Sequence, residues 1–221
     1  LELVSQHTEG MSFSAIAEEM HIPKSSLHPL LHTLHSRRYL QFSQERQRYY
    51  AGESVFVLGR QYAQNSDILR AIQVEITKLA RTLDETAFFG VLRDTDVLYL
   101  AKGEPNTAIR IVTASVGYRN PAYSTGLGKA LLLGHSFEQI CALYPCRLAP
   151  KTIHTLPTRD ELWAQLEQMR PGGFTYEKEE STLGIQCIAA PVFYNSDVVA
   201  AVSVSIPVYR NTPSRKEEIQ D

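Results

Sequence analysis

Hydrophobic positions recur along this chain with a helical period up to about residue 84 and a strand-like period over much of the remainder. Residues 12–20 (SFSAIAEEM) predict a short amphipathic helix with Ile16, Ala17 and Met20 inward and Glu18 and Glu19 outward. His21-Ile22-Pro23 breaks it. A second helix is predicted from Lys24 to Arg37, where Leu27, Leu30, Leu31 and Leu34 recur at i, i+3, i+4 and i+7 as one apolar stripe. Its other side carries Ser25, Pro29, His32 and Ser36, with His28 and His35 on a flank. Residues 39–42 and 48–51 read as two strands around the polar stretch 43–47. Two helices joined by a tight turn, the second polar on its free side and followed by a hairpin, make the pattern of a winged helix-turn-helix. A leucine-striped helix can also be mere core, so the hairpin is what makes the combination specific.

Helical spacing returns over 55–83, with a break at Asn65-Ser66, Ser66 or Asp67 as cap, and Ile68, Leu69, Ile72, Ile76 and Leu79 beyond it. Exposed apolar residues there suit a linker and a dimer contact. After Asp84, strands are predicted at 87–92, 97–101, 109–113, 174–177, 186–193 and 198–206, with Tyr194-Asn195-Ser196-Asp197 as a hairpin turn. Helices are predicted at 126–133, 137–144 and 159–169, the last capped by Thr158, and another starts at Pro213. The expected fold class is α+β. A winged helix-turn-helix (1–52) and a linker helix (53–66) precede a domain (67–221) built on a mainly antiparallel sheet flanked by helices.

Composition narrows the options. Apolar residues make up 43% of the 221, spread along the whole length, and no run approaches the roughly 18 residues that a membrane-spanning helix requires. The amino end shows no secretory leader pattern. Three cysteines, Cys141, Cys146 and Cys187, lack metal-type spacing and read as reduced thiols in a cytoplasm. A formal net charge of −2 gives no global attraction to nucleic acid. Residues 1–51 are themselves neutral, with five basic and five acidic side chains, but hold five of the seven histidines. Any DNA contact must come from a local patch.

Three stretches resemble the IclR family of bacterial transcription regulators: AIAEEMHIPKSSLHPLLHTLHSRRYL (15–40), STGLGKALL (124–132), and YEKEESTLGIQCIAAPVF (176–193) with VVAAVSVS (198–205). Their order and spacing match across nearly the whole chain. The resemblance implies a winged helix that binds double-stranded operator DNA, a linker used in dimerisation, and a GAF-like domain that binds a small effector. Homodimers or homotetramers acting in the cytoplasm are expected, with no membrane partner and no cofactor. Lys24, Ser25, Ser26, His28 and His32 would face bases or phosphates, and Arg46 and Arg48 in the wing would meet backbone or minor groove. Pro29 departs from the family, which commonly has a basic residue there. With Ser25 as the cap, Pro29 is the fourth helical residue and tolerable.

A seat for a small anion has its own physical case. The helix start at Ser124–Lys129 offers free amides, and Gly126 and Gly128 allow close approach to the backbone. A phosphate loop is a poor reading, since the glycine spacing is wrong and no Ser or Thr follows Lys129. Ser203 and Ser205 share one strand face, as do Cys187 and Ala189. Singly, each serine reads as a satisfied strand hydroxyl and Cys187 as a small buried hydrophobe. The resemblance implies more: effector amides at Gly126 and Leu127, a carboxylate at Glu177, and side chains at Cys187, Ser203 and Ser205. Lys178 stands where the family has a second acid. The expected effector is a small carboxylate. Two alternatives differ in class: a metal-responsive regulator using His28 and His32, four apart on one helix, and an enzyme with Cys187 as nucleophile. The second lacks an evident base.

Overall fold

In the computed structural model, which describes residues 1–106 and 114–220, the first unit (Leu1–Asp67) starts with α1 (Glu2–Ser5) and α2 (Phe13–Glu19). Ser12 caps α2, its hydroxyl accepting from the Ala15 amide at 3.2 Å. Ile16 and Ala17 are buried as expected, but Met20 is the C-terminal cap of α2 and stands 42% exposed rather than inward.

The tight turn leads into α3 (Lys24–Ser36). Leu27 and Leu31 are buried and Leu34 packs partly against them, whereas Leu30 is exposed, so the stripe is narrower than its leucines predict. At about 100° per residue, Leu30 lies roughly 60° to the side of Leu27, on the edge of the seam. Pro23, not Ser25, occupies the N-cap. Pro29 is therefore the sixth helical residue, inside the second turn, where its missing N–H leaves the Ser25 carbonyl without its helical donor. Ser25 is exposed, so water can satisfy that carbonyl.

The wing follows as β1 (Leu40–Ser43) and β2 (Arg48–Ala51), antiparallel with Leu40 opposite Ala51 and Ser43 opposite Arg48. Val4, Met11, Ile16, Leu27, Leu31 and Leu40 form the small core of this unit. Next comes α4 (Glu53–Asn65), with no buried residue although it carries Val55, Phe56, Leu58 and Tyr62. It ends at Asn65, and extended Ser66 separates it from α5 (Asp67–Leu83), at the predicted break.

The second unit (Ile68–Asp221) is organised by one antiparallel sheet. Its strands are β3 (Thr86–Arg93), β4 (Asp96–Gly103), β5 (Arg119–Pro121), β6 (Thr175–Lys178), β7 (Ile185–Tyr194) and β8 (Asp197–Pro207), in the spatial order β5-β4-β3-β8-β7-β6. The expected strand at 109–113 lies outside the described residues, and β5 was not predicted. The helices are α6 (Gly126–Leu132), α7 (Phe137–Leu143), α8 (Arg159–Met169) and α9 (Pro213–Gln220). Thr158 caps α8 as expected, accepting from the Glu161 amide at 3.2 Å.

Alternation along the strands sorts side chains between two cores. Phe88, Val97, Tyr99, Ala189 and Ala201 pack with Leu127 and Leu131 of α6, Ile140 of α7 and Leu162 and Leu166 of α8. On the other face, Ala87, Phe89 and Val91 meet Ile76 and Ala80 of α5, and Ile188, Val204 and Ile206 meet Leu83, with Ile219 of α9 alongside. Among the described residues no helix is long and apolar enough to cross a membrane.

Candidate functional site

The residues expected to contact DNA are all exposed. Lys24, Ser25, Ser26, His28 and His32 are all exposed along α3; Ser25 and His32 lie away from the buried Leu27 and Leu31, and Lys24 starts the helix on the leucine side. The His28 ring leans on Phe13, with centroids 6.3 Å apart, and His35 Nδ1 lies 3.2 Å from the Leu40 carbonyl, tying α3 to the wing. In the wing, Arg46 is exposed with Glu9 4.0 Å away. Arg48 is also exposed, yet its Nη1 donates to the Gly10 carbonyl at 2.8 Å, so one of its donors serves the fold. No group of three or more His, Cys, Asp or Glu suited to a metal gathers among the described residues, which leaves His28 and His32 a two-ligand pair.

In the second unit, five of the six residues expected at the effector site gather around the sixth, Cys187. Register places Cys187 opposite both Glu177 and Ser205, and Ala189 opposite Ser203. Cys187 Sγ lies 3.3 Å from Ser205 Oγ. The Leu127 amide and the Ser203 hydroxyl, with Ser205, pull the thiol down against its burial. Gly126 packs so closely that a Cβ there would sit 2.8 Å from Cys187 Cβ, which is the physical reason for glycine at that position.

The helix start differs from the expectation in what it offers. Thr125, the N-cap of α6, takes the Gly128 amide at 2.9 Å, and α6 has only seven residues. Individual N–H groups are available there rather than a sizeable helix dipole. Gly126, Leu127, Ser203 and Ser205 are buried, and of the six residues only Glu177 and Cys187 line the adjoining cleft of about 450 Å³ at the β6 edge.

Three further residues belong to this neighbourhood and carry no clear signal in the sequence. Tyr99 of β4 is buried beside Asn120 and Thr125, and burial raises its phenol. Its place in the Val97-Tyr99-Ala101 alternation marks it only as core. Lys129, fully buried in α6, pairs through Nζ with Glu180 Oε1 at 2.5 Å. Burial pulls its ammonium down, while Glu180 and Glu177 oppose that shift. A lone lysine among the apolar residues of GLGKALL was the available hint.

Electrostatics follow from this burial. Glu177 is pushed up to about 7, first by burial and then by Glu180, against the pull of the Glu180 amide and Lys129. Its Oε2 accepts that amide at 2.9 Å. The Cys187 thiol is pushed up to about 11 by burial and by Glu177, so it stays protonated at neutral pH and is a poor nucleophile.

Comparison with known proteins gives this arrangement its context. Residues 60–221 match the family described as bacterial transcriptional regulator IclR C-terminal, and residues 1–44 match the IclR helix-turn-helix domain. The chain belongs to the IclR family of transcription regulators. It is 30% identical over 210 residues to the HTH-type transcriptional regulator KdgR of Dickeya chrysanthemi, covering 94% of this chain and 68% of that protein. It is 27% identical to the transcriptional repressor IclR of Escherichia coli, covering 99% and 81%. Among solved structures, an IclR-type regulator from Alicyclobacillus acidocaldarius matches with a TM-score of 0.80 at 23% identity, over 96% of this chain and 85% of that one. An IclR homolog of Microbacterium hydrocarbonoxydans, solved with 4-hydroxybenzoate, matches with a TM-score of 0.70 at 20% identity, over 95% and 86%. Members of this family are regulators rather than enzymes, in keeping with a protonated, enclosed Cys187.

Proposed function

We propose that this IclR-family regulator binds operator DNA through residues 1–52, self-associates through the 53–66 helix, and responds to a small carboxylate held by residues 67–221. The observation that carries the effector half is the convergence of Gly126, Leu127, Ser203, Ser205 and Glu177 on Cys187, next to an open cleft. The complex of the Microbacterium homolog with 4-hydroxybenzoate supports a small acid as the type of ligand. For the DNA half, Ser25, His28 and His32 share an exposed polar side of α3, with Lys24 and Ser26 exposed in its first turn, which suits a helix laid in a major groove. Phe56 and Tyr62 on α4, 72% and 67% exposed, supply apolar surface for association of two or four copies. The protein would act in the cytoplasm, where its DNA is.

The deciding experiment is capture of genomic fragments from the source organism by the purified protein at low and moderate salt, followed by sequencing. Discrete peaks sharing an inverted repeat are expected, since paired heads read paired half-sites. Diffuse retention that disappears with salt would overturn the operator reading, because it reports phosphate attraction alone.

A further inference from the structure

The helix proposed to enter the groove carries its ionisable groups in an unusual form. Beyond Lys24, its first residue, α3 has no Lys, Arg, Asp or Glu, and its other titratable side chains are His28, His32 and His35. Lys24 itself lies about 20° around the axis from the buried Leu31, on the leucine side. Fixed charge around the helix is partly committed: Arg38 pairs with Glu53 at 3.0 Å, Arg46 stands 4.0 Å from Glu9, and Arg48 donates to the Gly10 carbonyl. Phosphate contacts supply a large share of a protein's affinity for duplex DNA, and α3 has little fixed charge with which to make them.

The five histidines of the first unit fall into two groups. His7, His21 and His35 each place Nδ1 on a backbone carbonyl, that of Leu3 at 2.9 Å, of Glu19 at 3.1 Å and of Leu40 at 3.2 Å. His28 and His32 are exposed, and among the described residues neither ring makes a hydrogen bond or an ion pair. They stand one turn apart, where like charges on a helix repel. The elements packed against α3 are α2, whose charged side chains are the exposed Glu18 and Glu19, and β1, which has none. Arg37, Arg38 and Glu53 lie beyond its C-terminal end, and none of these five charged groups pairs with either ring.

We infer that His28 and His32 meet DNA as imidazolium ions, so that binding takes up protons and the duplex is held more tightly at mildly acidic than at mildly alkaline pH. The inference rests on α3 as the groove-facing helix and adds how its affinity is regulated. An imidazolium donates from both ring nitrogens, to phosphate oxygens or to the N7 and O6 acceptors of guanine. Histidine changes charge near neutral pH, and a neighbouring polyanion favours its charged form. The complex therefore binds more protons than the free protein, and affinity falls as pH rises. The phosphates also offset the repulsion between two cations one turn apart, which favours protonation of both rings together on DNA.

The test measures the affinity of the full chain for a duplex retained in the genomic capture, across a pH series at one fixed ionic strength. The parent should bind about tenfold tighter at about pH 6 than at about pH 8. Calorimetry in buffers of low and high ionisation enthalpy should show uptake of about one proton or more per bound chain. The double variant His28→Gln, His32→Gln should flatten the dependence to less than about threefold. His28→Lys, with a fixed charge on the flank of the helix, should bind more tightly than the parent at the alkaline end and with a shallower dependence. A misfolded variant could not gain affinity in this way. Binding of the parent that does not change with pH would overturn the inference and leave the operator reading standing. A pH dependence undiminished in the double variant would also overturn it, since the protons would then go to other groups. Retention of no duplex at any pH would overturn both.

Discussion

In the N-terminal unit the residues proposed to do the work, Lys24, Ser25, Ser26, His28 and His32, are exposed on a helix anchored mainly by Leu27 and Leu31. In the C-terminal unit the corresponding residues are enclosed: Gly126, Leu127, Glu177, Cys187, Ser203 and Ser205 are all buried, with Lys129 and Glu180 buried beneath them. A surface that meets a polyanion can leave its polar groups in water until the partner arrives. A surface that selects a small molecule must remove its polar groups from water first and pair most of them. The first arrangement should tolerate substitution without loss of fold, and the second should not.

The sharpest break of this contrast is at Lys129. Replacing it by Met leaves Glu180 and Glu177 buried without their cation. Removing one partner of a buried pair typically costs about 3–5 kcal/mol. Trp163 on α8 is the only tryptophan, so its fluorescence during urea unfolding reports the C-terminal unit alone. Lys129→Met should lower that midpoint strongly, and Lys129→Met with Glu180→Met should recover most of it. An unchanged midpoint in the single variant would mean that the pair does not hold this unit together.

Next in size is a pH effect centred on Glu177. Its folded value, pushed up to about 7, lies above its ordinary value of 4.5, so the folded state binds the extra proton. The stability this contributes is fully present below about 4.5 and is lost as pH rises through 7. Relative to Glu177→Gln, the parent protein should lose stability between pH 5 and 8, with a slope no steeper than about 1.4 kcal/mol per pH unit. Trp163-detected unfolding at several pH values measures it. Parallel pH curves for the two proteins would show that Glu177 is not held in this way.

These two effects lie where the sequence was least informative, for a physical reason. Periods of 3.6 and 2 report which face of an element avoids water, and that sufficed for α2, α3, α8, the wing and β7–β8. It misplaced Met20 and Leu30, because residues at the edge of a stripe fall in or out according to what packs against them. The three-residue β5 pairs only through its position beside β4, and nothing in Arg119-Asn120-Pro121 announces a strand. Within the site, Ser203, Ser205 and Cys187 were legible because strand alternation fixes a shared face. Lys129, Glu180 and Tyr99 were not, since their pairing depends on distant chain segments, 51 residues apart for Lys129 and Glu180.

A smaller effect probes the exposed side of the comparison. Lys24→Ala should weaken binding to a captured operator fragment by about 1 kcal/mol at all sequences and reduce the salt slope by about one. His32→Ala should instead cost about 1–3 kcal/mol at the operator and little at random DNA, if it faces a base edge. Trp163-detected stability should not change in either variant, because both side chains are exposed. Equal affinity of all three proteins at moderate salt would remove α3 from the interface.

The smallest expected effect uses one substitution in two settings. Gly59 lies inside α4, and a Cβ built there meets nothing within 4 Å. Gly59→Ala therefore removes only the entropic penalty of glycine in a helix and should stabilise α4 by about 0.5–1 kcal/mol. Gly128 lies inside α6, where a Cβ would sit 2.2 Å from the Ala122 carbonyl oxygen and 2.4 Å from its Cα. Backbone cannot yield as a side-chain tip can, so Gly128→Ala should reverse the sign and destabilise. Circular dichroism melts of the two variants compare them directly. A destabilising Gly59→Ala would show that another copy of the chain packs against α4 at that point, which would also give the association surface a position.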